Sequence, residues 1–288
     1  SFDSGQDLSL NESLGWRLSL PLPEINGVKA TFTAGLDYKW YHATSYNTNN
    51  FVYYTTPPAS SPAPAIGPEY QPSPQPTRYS SVTYLPASLR WDVLVPDKFG
   101  QNSFFAGAAA NVPVFSSSAD FKTVAGSSLA RSDYIAASLG WSREQRLPGG
   151  YSVVLRADGQ WANMPLISNE QFGIAGTSAV RGYQDGEQYG DSGWKVSLEP
   201  RTPFRELGMV DGTLPMRVRW SVFMDYGEVY HIDPARGGAH RLWGTGLGFQ
   251  GSIGQLLDAR ALLGWALDSS NISPAGSLRA TFAVGLQF

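Results

Sequence analysis

The last eleven residues of the chain, 278–288, alternate without interruption between apolar side chains and side chains that are small, polar or charged. Because successive side chains of a β-strand point to opposite faces, this period of two predicts a strand with one apolar face. The length matches what a tilted strand needs to cross the apolar core of a bilayer. The chain stops on an aromatic residue, Phe288, at what would be the membrane boundary. The segment therefore predicts an all-β fold, an antiparallel transmembrane β-barrel.

The composition agrees with this prediction and excludes other classes. Aromatic residues make up 13% and charged residues 16% of the chain, and no apolar run approaches the length of a membrane-spanning helix. Alternation hides the apolar half of a barrel, so a mean hydropathy of −0.21 is compatible with one. A net charge of −3 indicates no nucleic-acid partner. The absence of cysteine excludes disulfides and thiolate chemistry.

About eleven segments have strand character and are joined by alternating short and long connections, as in an antiparallel barrel. The predicted strands are 8–22, 28–46, 79–95, 102–115, 129–146, 150–164, 190–200, 214–231, 240–252, 257–268 and 276–288. The short turns are 22–27, 96–100 and 147–150, and the long loops are 47–78, 116–128, 165–189 and 232–239. We expect the short turns to face the periplasm and the long loops to face outward. The proline-rich segment 47–78 is predicted to be an extended extracellular loop.

Segment 216–226 shows the division of faces that a barrel requires. One face is apolar, and the other carries Arg217, Arg219 and Asp225, which must look into the lumen, since an arginine on the lipid face near the midplane costs about 2–4 kcal/mol. A soluble β-sandwich is the competing fold, but its strands are usually shorter.

The loop 165–189 is long without being low in complexity, and loops of that kind are usually functional. It contains Glu170-Gln171-Phe172, then Gly176, then Val180-Arg181-Gly182-Tyr183. This arrangement resembles the inward-folded loop of the outer-membrane superfamily that includes barrel-assembly insertases and two-partner secretion transporters. The resemblance implies that the loop folds into the lumen after the sixth strand and that Glu170, Gln171, Phe172 and Gly176 position it.

Two carboxylates are expected to face this loop. Strand alternation places Glu199 and Asp225 on the lumen side of neighbouring strands. Residues 223–227 are similar to the superfamily's Phe-x-Asp-x-Gly pattern, and the resemblance implies that Asp225 anchors Arg181 with Glu199 nearby. A buried arginine needs such partners. The alternative is a solvated Arg181, with Asp225 paired to Arg217 or Arg219 on its own strand.

The stretches 159–172 and 190–194 look more like two-partner secretion transporters of the haemolysin-activator type than like insertases. That resemblance implies a bacterial outer-membrane pore that exports an unfolded partner protein, with periplasmic POTRA domains binding the partner first. It also implies contact with outer-membrane lipid and insertion by the barrel-assembly machinery, for which Phe288 is the expected C-terminal signal. An insertase of the same superfamily and a general diffusion porin remain the alternatives.

An enzyme is not expected. The histidines His42, His231 and His240 lie at predicted strand ends or outer loops, and none has two carboxylates or a second histidine at ligand spacing. The sequence predicts no catalytic site, no metal site and no cofactor.

The strand count conflicts with the resemblance. The superfamily has a sixteen-stranded barrel after its POTRA domains, and single-chain bacterial barrels have an even number of strands. We therefore expect residues 1–288 to be part of a barrel, without the POTRA domains and the first strands. Another chain could supply the missing strands, because an open edge in lipid leaves backbone groups unpaired. The alternative is a complete twelve-stranded barrel, with 1–23 hiding a second strand.

Overall fold

A computed structural model of the chain describes residues 3–53, 69–74 and 78–287. The predicted role of Phe288 and the middle of the proline-rich segment lie outside the described residues. Within them the chain forms fifteen strands. Their bounds are β1 Asp3–Pro21, β2 Lys29–Tyr53, β3 Glu69–Pro74, β4 Arg78–Asp97, β5 Gly100–Val112, β6 Ile135–Arg146, β7 Ser152–Ala162, β8 Phe172–Gly173, β9 Tyr189–Gly190, β10 Ser192–Arg201, β11 Arg205–Val210, β12 Leu214–Tyr230, β13 Ala239–Ile253, β14 Leu257–Ala266 and β15 Leu278–Leu286.

The helical elements of the described residues are short. They are the α-helix α1, Ser118–Ala125, and the 3₁₀ turns Pro148–Gly150, Ser168–Glu170 and Pro234–Arg236. None of them has the length and apolar character that crossing a membrane requires.

Eleven strands form one continuous antiparallel ladder in the order β1-β2-β4-β5-β6-β7-β10-β12-β13-β14-β15. The predicted fold class and strand count are thus confirmed, and the predicted inward loop follows the sixth strand of the ladder, β7. Strand β3 pairs with the end of β2, and β11 pairs with the start of β12. Within the described ranges no pairing joins β1 to β15.

Three elements differ from the prediction. Strand β2 continues to Tyr53, so the first part of segment 47–78 extends the sheet, and β3 pairs with it. Strand β11 forms a hairpin with β12 where no strand was predicted. Helix α1 lies inside the predicted loop 116–128, and its start has a clear local cause. Ser117 and Asp120 form a reciprocal capping box, and Gly126 ends the helix in the left-handed conformation, φ 63°.

The outer face of the ladder is apolar and exposed, as expected for a surface that contacts lipid. On β12, Trp220, Val222 and Met224 are 50–57% exposed, whereas the intervening Phe223 and Asp225 are almost completely buried. Tryptophans are exposed on this outer face along the whole ladder. They are Trp16, Trp91, Trp141, Trp161, Trp194, Trp220, Trp243 and Trp265. The alternation of faces predicted for 216–226 is present in the structure.

Two apolar clusters lie on the inner side, where the long connections fold back over the sheet. The helix cluster joins α1 to β4 and to the start of the loop after β7; its members include Tyr84, Phe121, Tyr134, Met164, Leu166 and Ile167. The loop cluster joins the rest of that loop to the last strands; it comprises Ile174, Ala175, Val180, Tyr183, Val229, Leu242 and Ala266. The interior is therefore occupied by folded connections.

We predict that Val222→Arg destabilises the barrel by about 2–4 kcal/mol, because it places a charge on the lipid face. Urea unfolding of the full-length protein, refolded into phospholipid vesicles, measures the change. Val222→Leu keeps the position apolar and is the control. Equal stabilities of the arginine and leucine variants would show that this face does not contact lipid.

Candidate functional site

The loop between β7 and β10 is folded on itself before it contacts the inner face of the sheet, which we call the wall. Strands β8 and β9 close its base as a small hairpin. At its tip, the Gly176 amide donates to the Val180 carbonyl at 3.1 Å, and the Val180 amide donates to the Ile174 carbonyl at 2.9 Å. Gly176 has φ 115°, which favours glycine, and a Cβ there would lie 2.0 Å from Asp185 Oδ1. The tip therefore requires Gly176, one of the predicted positioning residues.

Arg181 projects from this tip into a set of acceptors on the wall. Its Nε and Nη2 donate to the two carboxylate oxygens of Asp225 at 2.7 and 2.8 Å. Its Nη1 donates to Glu199 Oε2 at 2.7 Å, and its backbone amide donates to Asp225 Oδ2 at 3.0 Å. Nη2 also contacts Ser197 Oγ at 3.0 Å. The structure thus brings together the three charged residues that the sequence placed at this site.

The environment makes these contacts strong. Arg181, Glu199 and Asp225 are all buried, at 7%, 6% and 1% exposure. The guanidinium lies 3.6 Å from the ring centroid of Phe223, in cation–π geometry. Burial alone would lower the pKa of Arg181, but the hydrogen bonds and charges of Asp225 and Glu199 outweigh it and raise that pKa. Charge-assisted, bidentate hydrogen bonds between buried groups are stronger than hydrogen bonds between neutral groups.

The alternative pairing of Asp225 with arginines of its own strand is not found. Arg217 donates to Glu206 of β11 at 2.9 and 3.1 Å. Arg219 donates to the side-chain oxygen of Gln250 on β13. Arg181 itself is buried, so it is not a solvated loop residue.

Next to Arg181, the loop lies directly on the backbone of the last strands. Gly182 has φ 105°, and a Cβ there would lie 2.7 Å from the Trp265 carbonyl carbon. On the wall, a Cβ at Gly244 would lie 2.1 Å from the Arg181 carbonyl oxygen, and one at Gly264 would lie 2.5 Å from the Gly182 nitrogen. Gly244 and Gly264 were missed by the sequence analysis, because a glycine inside a strand has no single meaning.

Val180 and Tyr183 hold the same part of the loop, around Arg181 and Gly182, against the last strands of the sheet. Both are completely buried in the loop cluster. The Tyr183 hydroxyl lies 2.7 Å from the Trp243 carbonyl and accepts a bond from the Asp268 amide at 3.0 Å. Tyr183 therefore joins the loop to β13 and to the connection after β14.

The beginning of the loop is held by the opposite end of the ladder. Glu170 accepts bonds from Lys39 of β2 and Tyr84 of β4, each at 2.7 Å. Phe172 lies under the Lys195 ammonium, 5.3 Å from the ring centroid. Since Glu170 contacts β2 and β4 while Arg181 contacts β10 and β12, the loop crosses the inner space from one part of the sheet to another.

Asp191 is a further buried junction that the sequence did not reveal. It is completely buried, and its Oδ1 accepts bonds from the Leu166 amide and from Gln171 Nε2, both at 2.9 Å. Its Oδ2 accepts a bond from the Ile232 amide at 2.9 Å. Gln171 is thus positioned by its bond to Asp191. Asp191 itself joins the loop after β7 to the connection after β12.

The described residues offer no group of three or more histidine, cysteine, aspartate or glutamate side chains that could hold a metal ion. The contacts of the site are ionic and steric, and they fix the loop to the inner face of the sheet.

The chain is similar to known proteins in sequence and in fold. The family model of the haemolysin secretion/activation proteins ShlB/FhaC/HecB matches residues 88–251, which is more than half of the chain. The match includes the loop, Glu199 and Asp225. None of the curated proteins matched the chain.

Solved structures of similar fold come from outer-membrane proteins. CdiB from Escherichia coli matches with a TM-score of 0.70 and 17% identity, over 98% of this chain and 46% of that one. CdiB from Acinetobacter baumannii matches with a TM-score of 0.52 and 16% identity, over 96% and 50%. BamA from Haemophilus ducreyi lacking POTRA domains 1–3 matches with a TM-score of 0.54 and 11% identity, over 96% and 62%. The chain spans about half the length of the CdiB structures.

We predict that Gly244→Ala loosens the loop. The new Cβ would lie 2.1 Å from the Arg181 carbonyl oxygen, and overpacking of this kind costs about 1–3 kcal/mol. Amide hydrogen exchange of residues 174–183 should accelerate about tenfold or more, whereas exchange in β4 and β5 should not change.

The control is Gly251→Ala on the same strand, where the nearest neighbour of a new Cβ is a Phe249 ring carbon at 3.4 Å. Its exchange should equal that of the wild type. Equal exchange in both variants would mean that the loop does not rest on the wall at Gly244.

Proposed function

This chain belongs to the haemolysin secretion/activation protein family ShlB/FhaC/HecB, and on that premise we propose that it forms the pore through which an unfolded partner protein crosses the outer membrane in two-partner secretion. Members of this family are outer-membrane β-barrel proteins that transport protein. The location in the bacterial outer membrane follows from membership, whereas protein transport by this chain is part of the proposal. Export of one unfolded partner by this chain is our proposal.

The loop held across the inner space is the observation that carries the proposal. Its two ends bind different parts of the sheet, through Glu170 on one side and Arg181 on the other. An obstruction of this kind suits a channel that must stay closed to small solutes and yet admit an extended polypeptide. The bonds that hold it are ionic and noncovalent, so a polar chain entering the lumen can compete for them.

The partner would pass as an extended chain along the polar inner face, with the loop shaping the space it uses. Val180, Arg181, Gly182 and Tyr183 fix the loop, Asp225 and Glu199 receive it, and Glu170, Gln171, Phe172 and Gly176 set its course. Folding of the partner outside the cell would give the transport its direction. No phosphate-binding loop and no nucleotide are needed for this mechanism, and we assign no enzymatic step.

In this proposal the full-length protein extends beyond residues 1–288. Periplasmic POTRA domains would capture the partner, and the first strands of the barrel, or another chain, would pair with the free edges of β1 and β15. The barrel-assembly machinery would insert the barrel into lipid, with Phe288 as the C-terminal signal.

Two other functions are less well supported. A general diffusion porin needs an open lumen, whereas two apolar clusters occupy the inner side of this sheet. An insertase is compatible with the fold shared with BamA. An insertase would act on other barrels in the membrane and would not export a soluble partner, so secretion separates the two.

We predict that Arg181→Ala and Asp225→Ala, made in the full-length protein, leave the barrel inserted but reduce secretion of the partner at least about tenfold. Either change strands a buried charge at a cost of about 3–5 kcal/mol. Immunoblotting of the partner in the culture medium measures secretion, and planar-bilayer conductance of the purified variants should change in the same direction for both.

Arg90→Ala is the control, because Arg90 also belongs to the inner face but pairs with Asp92 on its own strand at 2.8 Å. Its secretion should match the wild type. Normal secretion by Arg181→Ala would defeat the proposed role of the loop. A large, steady wild-type pore indifferent to both loop substitutions would indicate a porin.

A further inference from the structure

A second feature of the inner face lies beside the loop, toward the end of the sheet that carries the short turns. It is a cavity of about 350 Å³ between the loop and strands β7, β10, β12, β13 and β14. We call it the basic pocket. Its lining includes Arg156, Arg201, Arg219, Ser221, Gly248 and Gln250. The contacts that fix the loop use only Arg181 and Glu199 of this pocket, so the other arginines have no assigned task.

The carboxylates near the basic pocket are already shared. Glu199 accepts bonds from Arg181 at 2.7 Å and from Arg201 Nε at 2.8 Å. It also lies 3.9 Å from Arg156 Nη1. Asp225 is bonded by Arg181 through both of its oxygens. Two carboxylates therefore serve three guanidinium groups before Arg219 and Arg260, which also line the basic pocket, are considered.

Arg219 adds a charge that the described residues do not balance. Its Nε and Nη2 donate to the neutral side-chain oxygen of Gln250 at 3.0 and 2.7 Å. Its guanidinium stacks 4.4 Å from the ring centroid of Phe204. No carboxylate of the described ranges lies within 4.0 Å of it. Gln250 and Phe204 thus orient the guanidinium without neutralising it. Arg260 pairs with Asp258 at 3.0 Å, so the five arginines of the basic pocket face Glu199, Asp225 and Asp258 and leave an excess of about two positive charges.

The register of the strands gives the basic pocket its shape. Ser221 pairs with both Arg201 on β10 and Gly248 on β13, so a small residue and a glycine lie side by side. Arg219 and Gln250 pair two residues further along, toward the short turns. The basic pocket is open above Ser221 and Gly248 because their side chains are small or absent. The guanidinium groups of Arg201 and Arg219 line two sides of it.

We propose that the basic pocket binds carboxylate side chains of an extended polypeptide in the lumen. Guanidinium groups recognise carboxylates through paired, charge-assisted hydrogen bonds. The excess positive charge in a confined space raises the local concentration of anions. Naming the polypeptide as the protein in transit rests on the proposed function, whereas binding of the carboxylate does not.

The test uses a fluorescently labelled tetraglutamate peptide and the full-length protein in detergent, with fluorescence anisotropy as the readout. We expect saturable binding that weakens as salt increases. A tetraglutamine peptide of the same length should not bind. Arg219→Gln should weaken tetraglutamate binding about tenfold or more, which is the loss expected for bonds to a charged group. Arg90→Gln is the matched control and should bind like the wild type.

A second variant keeps the test decisive if Arg219→Gln fails to fold. Gln250→Glu would place a carboxylate against Arg219 and should likewise weaken binding, with the bond that Gln250 Nε2 donates to Asp258 at 2.9 Å lost. Equal binding of the two peptides, or equal affinity of the wild type and both pocket variants, would overturn the proposal. If peptide binding behaves as expected but secretion ignores Arg181→Ala, the proposed function fails and the basic pocket stands. If secretion depends on Arg181 but peptide binding does not behave as expected, only the proposal for the basic pocket fails.

Discussion

The ion pair between Arg181 and Asp225 is the interaction on which the inner architecture depends. A guanidinium removed from water costs several kcal/mol unless its donors are satisfied, and here Asp225, Glu199 and Ser197 take up donors from all three of its nitrogen atoms. The same aspartate also accepts the Arg181 backbone amide. The bond therefore fixes both the side chain and the main chain of the loop, and removing one partner strands a buried charge.

Steric and apolar features of the fold serve this contact. The wall is lined with glycine where the loop touches it, so backbone meets backbone at Gly182, Gly244 and Gly264. Val180 and Tyr183 bury their side chains on either side of the charge. The ionic centre of the loop is thereby flanked by buried apolar side chains, and the low local dielectric strengthens its bonds.

Much of this could be predicted from sequence because the signals are local. Alternation along single strands predicted the eleven-strand ladder and the inner positions of Glu199 and Asp225. The loop motif identified Arg181 as the residue that contacts them. Helix α1 was missed since its signal is one capping box of Ser117 and Asp120 within a short segment. The roles of Asp191 and Gly244 depend on contacts between residues far apart in sequence, which no spacing rule reveals.

A double-mutant cycle of Arg181→Ala and Asp225→Ala in the full-length protein tests the central claim most directly. The free energy of loop opening is obtained from amide hydrogen exchange of residues 174–183 in the wild type, both single variants and the double variant. The structure predicts a coupling energy of about 2–3 kcal/mol, because the two buried side chains share two charge-assisted hydrogen bonds. Additive effects, with coupling below about 0.5 kcal/mol, would show that this ion pair does not hold the loop.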